Sequence, residues 1–207
     1  MRALTVHNIM STSFNSLDFT GDWLAAVGKP ELTGTWFIYG SSKQGKTTFA
    51  MMLAKYLSGF GNVLYNSLEE GVCLTVRLAI ERAGLLNSKG VLFLDKENME
   101  DLQKRLKKQR SADIVIIDSV QYTDMNFQQY RKMKHEFRGK LFIYISHVKG
   151  INPDGNTARR IWRDASCSFR IEGFRAFPVS RYGGGEPLDV CTELAEKYWG
   201  NVKSITN

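Results

Sequence analysis

Eight consecutive residues, Gly40-Ser41-Ser42-Lys43-Gln44-Gly45-Lys46-Thr47, constrain this chain more than any other feature. They match G-x-x-x-x-G-K-T, and the surroundings match too. A short β-rich run, Thr35 to Tyr39, precedes them. A stretch with Phe49, Met52, Leu53, Tyr56 and Leu57 at helical spacing follows, which predicts a helix from Lys46 to Leu57. A glycine-bearing turn between strand and helix aims main-chain N–H groups, and the positive end of the helix dipole, at one point. That point suits a polyphosphate. Residues Gly40 to Thr47, with Thr48 beside them, are therefore the expected phosphate cradle. Lys46 is expected to reach the β- and γ-phosphates, and the Thr47 hydroxyl to sit on Mg²⁺. The implied ligands are ATP and Mg²⁺.

The rest of the pattern is an alternation of strands and helices. Strands are predicted at Asn62 to Ser67, Val91 to Leu94, Asp113 to Ile117 and Leu141 to Ile145. The run Ile114-Val115-Ile116-Ile117 is apolar without alternating, so both faces of that strand should be buried, as in the middle of a parallel sheet. Between the strands, helices are predicted at Val72 to Ala83, Met99 to Arg110 and Phe127 to Phe137. A short helix at Asp22 to Val27 is expected in the lead-in. Lys149 to Trp162 is polar and aperiodic and reads as a loop. Cys167 to Ile171, Arg175 to Val179 and Leu188 to Thr192 read as short strands separated by glycine turns. The expectation is an α/β domain of three layers, α/β/α, with a mostly parallel central sheet and antiparallel strands at its C-terminal side. Its parts are a lead-in over 1–33, a core over 34–195 and a tail over 196–207.

Two strand ends add acids to the phosphate loop. Asp118 closes the apolar strand and is placed as the second Mg²⁺ anchor. Glu69 and Glu70 follow the strand that ends at Ser67. A carboxylate there can orient or deprotonate an attacking water. Glu69 is taken as that group, and Glu70 as a first-turn acid. The strand Leu141 to Ile145 runs into Ser146-His147, where spacing alone leaves open a γ-phosphate sensor or a structural histidine.

Bulk properties set outer limits. The 207 residues fit one domain, and 43% hydrophobic with 24% charged content is ordinary for a globular chain. No apolar run approaches the roughly 20 residues that span a bilayer, so no membrane partner is expected. Met1 to Asn15 lacks the apolar core of a secretory signal. Cys73, Cys167 and Cys191 form no C-x-x-C pair, which suggests neither a disulfide framework nor a zinc site. A cytoplasmic location is expected. The net charge of +7 favours polyanionic partners, and basic residues crowd two predicted helices, Lys104 to Arg110 and Arg131 to Lys140.

The segments GSSKQGKTT, LYNSLEEG, VRLAIERAGL, IVIIDSVQ and ISHVKG together resemble the RecA-like ATPase core of RadA/Sms recombination proteins. They are also similar to the core of DnaB-type replicative helicases. The likeness runs from about Gly34 to about Glu186. It implies a RecA-like P-loop NTPase fold, DNA-dependent ATP hydrolysis, and assembly into a homo-oligomeric ring or filament. By the same resemblance Glu69 falls on the catalytic glutamate. Gln121 and His147 fall on sensors that couple nucleotide state to DNA. Lys149, Arg159, Arg160 and Arg163, beside Trp162, fall on a loop that faces single-stranded DNA. Ser180-Arg181-Tyr182-Gly183 is similar to a motif that lends cations to a neighbouring subunit's ATP, which makes Arg181 a candidate trans-acting finger. Val179 stands where that motif has its lysine, and the four zinc-binding cysteines of RadA proteins are absent. A nucleotide-controlled assembly or signalling ATPase without a DNA substrate is the alternative. A small-molecule kinase is disfavoured by Glu69, because such enzymes must exclude water.

Overall fold

The structure is a computed structural model and describes residues 3–203. Its centre is an eight-stranded sheet. β1 (Gly34–Gly40), β2 (Val63–Ser67), β3 (Val91–Asp95), β4 (Ile114–Asp118), β5 (Leu141–Ser146) and β8 (Cys167–Glu172) run parallel. β9 (Arg175–Ser180) is antiparallel to β8, and β10 (Leu188–Asp189) is antiparallel to β9. The spatial order is β10-β9-β8-β1-β5-β4-β2-β3. A separate two-stranded hairpin, β6 (Val148–Lys149) and β7 (Asn152–Pro153), leaves the end of β5.

Alternation along the strands builds two cores. Trp36 and Ile38 of β1 and Ile114 and Ile116 of β4 point to one face. There they meet α2 (Gly21–Val27), α3 (Lys46–Leu57) and α4 (Leu74–Arg82). Phe37, Tyr39, Val115 and Ile117 point to the other face. They pack on α5 (Met99–Leu106), α6 (Phe127–Glu136) and α7 (Asn156–Asp164). Both faces of the central strands are covered, which is why β4 reads as unbroken apolar sequence, while the edge strand β3 stays partly exposed. The expected three-layer α/β/α architecture, with antiparallel strands at one edge, is what the chain adopts.

Several expectations are corrected. Lys149 to Trp162 is not an irregular loop. It forms the β6–β7 hairpin and then the helix α7, whose Ala158 and Ile161 are buried against the sheet. Its apolar side is only Ala158, Ile161 and Trp162, one i, i+3, i+4 set within nine residues, too short a stripe to stand out in a polar stretch. The lead-in is not separate from the core, since Leu17, Phe19, Ala26 and Val27 belong to it. A short helix, α1 (Val6–Met10), precedes them and is exposed throughout. The predicted strand Leu188 to Thr192 stops at Asp189, and α8 (Thr192–Lys203) crosses the boundary drawn at 195. Residues 204–207 of the predicted tail lie outside the described residues.

Candidate functional site: the phosphate loop and the strand-end acids

Four strand ends meet at one rim of the sheet. Register brings Ser67 of β2, Asp118 of β4 and Ile145 of β5 into one row, with Ser146 beside Tyr39 of β1. Every sequence-predicted acid and the glycine turn therefore emerge at the carboxyl ends of parallel strands. That is where open α/β sheets hold ligands. β5 lies between the strand that carries the loop and the strand that carries Asp118.

The turn itself leaves β1 at Gly40. A Cβ there would lie 2.2 Å from the Ile171 carbonyl oxygen, so the loop and β8 pack more closely than any side chain permits. Gly45 takes the left-handed conformation at φ 99° and opens α3 without a side-chain cap. The first amides of the helix are thus not satisfied by a capping side chain, which leaves them suited to an anion. The Gln44 side-chain oxygen accepts from the Gly173 N–H at 2.6 Å and ties the loop to the β8–β9 turn. Lys46 is buried and its Nζ donates to the Ser41 carbonyl at 2.9 Å, across the mouth of the loop. Burial lowers its pKa, opposed by the charges of Asp118 and Glu69. Thr47 and Thr48 are half-buried in the first turn of α3.

Asp118 is 7% exposed. The Tyr65 hydroxyl donates to its Oδ2 at 2.6 Å. Burial pushes the carboxyl up to about 6, partly offset by that hydrogen bond. Tyr65 was not anticipated from sequence. The only available signal is a tyrosine in the middle of a strand that is buried throughout, where its hydroxyl needs a partner. The peptide bond from Asp118 to Ser119 is cis. The Ser119 hydroxyl next to it is buried with no hydrogen-bond partner. A buried acid with free acceptor capacity, an unpartnered hydroxyl and a threonine at the helix start fit a Mg²⁺ ion bound mostly through water and phosphate. Such ions take few protein ligands, and among the described residues no cluster of three or more His, Cys, Asp or Glu exists that would suit a tighter cage.

Glu69 and Glu70 take different partners, and Glu70 is not the first-turn acid expected, since α4 begins only at Leu74 and has no acid in its first turn. The Glu69 N–H donates to the Asp118 carbonyl at 2.9 Å, which locks this residue beside the metal anchor. Its carboxylate meets His147 Nε2 at 2.9 Å. That hydrogen bond holds Glu69 below the usual carboxylate range and His147 above the usual imidazole range. Glu70 turns away and accepts from the Thr75 hydroxyl near the start of α4.

Gln121 follows β4 in a 3-10 turn and touches three elements. Its Nε2 donates to Ser146 Oγ and to the Asp154 carbonyl, both at 2.9 Å. Its Oε1 accepts from the His147 N–H at 3.4 Å. A continuous chain thus runs from Glu69 through His147 and Gln121 to Asp154, two residues before α7. Lys149, Arg159, Arg160 and Arg163 lie exposed on the hairpin and helix beyond it. Arg160 is laid over the Phe127 ring at 4.0 Å. Trp162 is not a free stacking surface, because it packs on Tyr39 and the second core. Much of the basic α5 face is also engaged. Arg105 pairs with Glu97, Lys104 with Glu100 and Asp101, and Lys107 with Glu136.

Arg181 is the one candidate that the fold places elsewhere. Ser180 is opposite Cys167, which is opposite Trp36, whereas the loop begins where Gly40 faces Ile171. Arg181 therefore lies level with Thr35 at the entry end of β1, on the order of 15 Å or more from its own phosphate loop at strand spacing.

No family model matches the sequence, and no curated protein does. Among solved structures, the chain is similar to the flagellar accessory protein FlaH from Methanocaldococcus jannaschii. The TM-score is 0.55 at 18% identity, over 76% of this chain and 80% of that one. The likeness concerns the backbone and is not specific to RadA/Sms or DnaB cores. Sheet order and this similarity together show an α/β fold with a mostly parallel central sheet and antiparallel strands at one edge.

Proposed function

We propose that this protein is a Mg²⁺-dependent ATP hydrolase that works as an oligomer and passes its nucleotide state to a DNA-binding face. The observation that carries the reading is the convergence of Lys46, Asp118 and Glu69 at one rim, around a loop with free helix-start amides. Lys46 neutralises charge on the terminal phosphates. Thr47 and Asp118 hold the ion, which when bound offsets phosphate charge and aligns the leaving oxygens. Glu69 orients the attacking water and takes its proton. His147 holds Glu69 in place and shares its charge. Gln121 relays the movement of this pair to the hairpin and α7, where Lys149, Arg159, Arg160 and Arg163 would meet single-stranded DNA through its phosphates. Arg181 acts on the nucleotide of a neighbouring copy.

The test compares ATP turnover in the wild type, Lys46→Ala and Glu69→Gln, with and without single-stranded DNA at two salt concentrations. Lys46→Ala is expected to lose binding or turnover. Glu69→Gln should bind ATP yet hydrolyse it at least about tenfold more slowly, a barrier increase near 1.4 kcal/mol. Stimulation by DNA that fades as salt rises supports the DNA-facing role. Full turnover in Lys46→Ala refutes the hydrolase reading altogether.

A second reading has its own support. The cations of α5 are paired, Trp162 is packed away, and a similar fold occurs in a flagellar accessory protein. In that reading the Gln121 relay drives assembly with a protein partner. It predicts no response to any nucleic acid in the same assay.

A further inference from the structure

The row of strand ends that carries Ser67 and Asp118 has one more acid. Asp95 closes the edge strand β3 and stands opposite Ser67 of β2. It is two strands away from Asp118, roughly 10 Å at the usual strand spacing, too far to hold the same ion or water. Among the described residues its carboxylate makes one hydrogen bond, and that bond goes to main chain. The Val72 N–H donates to Asp95 Oδ1 at 3.0 Å. Val72 belongs to the short loop that leaves β2 after Ser67, carries Glu69 and ends where α4 begins at Leu74.

That loop is closed on itself at its base. The Gly71 N–H donates to the Ser67 carbonyl at 3.1 Å, and the Ser67 hydroxyl donates to the Gly71 carbonyl at 3.2 Å. These bonds shape the turn but do not fix where it points. Two contacts from other strands hold its main chain in place. The Asp118 carbonyl takes the Glu69 N–H on one flank, and Asp95 takes the Val72 N–H on the other. Between them Gly71 is buried at φ 73°, and a Cβ there would stand 2.5 Å from Asp95 Oδ1. Turn and acid are thus fitted without room for a side chain, at a conformation that glycine adopts readily and other residues do not.

Asp95 has a rigid support of its own. The buried Asn66 donates through Nδ2 to the Glu97 carbonyl at 2.6 Å and accepts from the Glu97 N–H at 3.2 Å. Arg105 of α5 grips the Glu97 carboxylate through two nitrogens, at 2.8 and 2.6 Å. The chain just after Asp95 is therefore tied to β2 and to α5. A short side chain on so firm a base keeps its acceptor in one place, which is what a supporting group needs.

We infer that Asp95 is a positioning residue for Glu69, holding the outer end of the β2–α4 loop so that the Glu69 carboxylate stays aimed at the attacking water. The inference rests on the hydrolase reading of Glu69 above and adds a residue that acts through it. A misplacement of about 1 Å can cost on the order of a hundredfold in rate, so a loop released at one of two anchors is expected to lose about tenfold.

Steady-state ATP turnover by the full chain with Mg²⁺ tests this in a cycle of Asp95→Ala and Glu69→Gln, alone and combined. Asp95→Ala is expected to lower kcat by about tenfold while KM stays within about twofold of the wild type. Asp95→Asn, whose side-chain oxygen still accepts from Val72, should keep kcat within about twofold. In the Glu69→Gln background Asp95→Ala should cost less than about twofold, because the group it aims is already disabled. A merely structural role would instead raise KM or slow both backgrounds alike, and either result overturns the inference. So does an Asp95→Ala kcat within about twofold of the wild type, or an Asp95→Asn that falls as far as Asp95→Ala. A slow Glu69→Gln with a fully additive Asp95→Ala removes Asp95 and leaves the hydrolase reading standing. If Glu69→Gln turns over as fast as the wild type, or the wild type does not hydrolyse ATP, that reading fails and takes Asp95 with it.

Discussion

Asp118 shows how burial and function oppose each other at a single residue. Its carboxyl sits near pKa 6 against an ordinary value of 3.8. Below both values it is neutral in the folded and unfolded chain alike. As pH rises through this window the unfolded chain releases its proton first, so the fold loses stability until about pH 6 and stays at that lower level above it. At neutral pH the cost is up to about 3 kcal/mol, from a shift of about two pH units. Asp118→Asn, whose amide oxygen can still accept from Tyr65, is therefore expected to stabilise the metal-free protein at pH 7.5 while destroying Mg²⁺-dependent turnover. Urea unfolding in a chelator checks this. A variant less stable than the wild type there would show that the charge is well solvated after all.

His147 and Glu69 carry the opposite sign. The imidazole pKa is raised by Glu69, so the pair adds stability below the usual imidazole value and loses it as pH rises through the raised one. In the mechanism proposed above, protonated His147 also occupies the lone pair that Glu69 would need as a base. ATP turnover should climb as the pH passes the raised imidazole pKa. In His147→Ala the acid limb of the rate profile should move down, toward the carboxylate range. An unchanged limb would mean that some other group titrates there.

At the scale of elements, the helix after the hairpin is the main departure from the sequence reading. Its two anchors, Ala158 and Ile161, are completely covered. Ile161→Ala is expected to destabilise the protein by 2 to 5 kcal/mol, roughly the cost of truncating a buried isoleucine. Chemical denaturation measures that directly, and a loss below about 0.5 kcal/mol, the size of a surface change, would place Ile161 outside the core. The strands and helices from β1 to β5 were legible because each carries its own periodicity or an apolar run. The positions of Lys46, Asp118 and Glu69 were legible because they start a helix, close a strand and follow a strand end respectively. α7 was not, since its regularly spaced apolar set, Ala158, Ile161 and Trp162, is a single short stripe among arginines and polar residues, too brief to mark a helix without the sheet it packs on. Tyr65 escaped notice for a related reason. Its role depends on β2 lying next to β4, and neighbourhood in a sheet is not written along the chain.

At the scale of the whole molecule, Arg181 tests whether the protein works as an assembly. Alone it cannot reach the phosphate loop of its own chain, which starts at the other end of β1. Arg181→Ala should therefore lose at least about tenfold in turnover at concentrations where the wild type associates. An equimolar mixture of Arg181→Ala with Lys46→Ala should recover part of the activity, because junctions form in which an intact loop meets an intact arginine. No recovery in mixtures shown by sedimentation to contain both chains would remove Arg181 from the active site.

That placement also sets a condition on any association that would use it. The arginine and a neighbour's loop are different patches, separated along and across the sheet. A two-fold pair can join them only if both patches fall within one self-complementary face, each copy giving and receiving at once. Otherwise the copies would have to line up head to tail, and such a row closes into a ring when the turn per step divides a full circle and continues as a fibre when it does not.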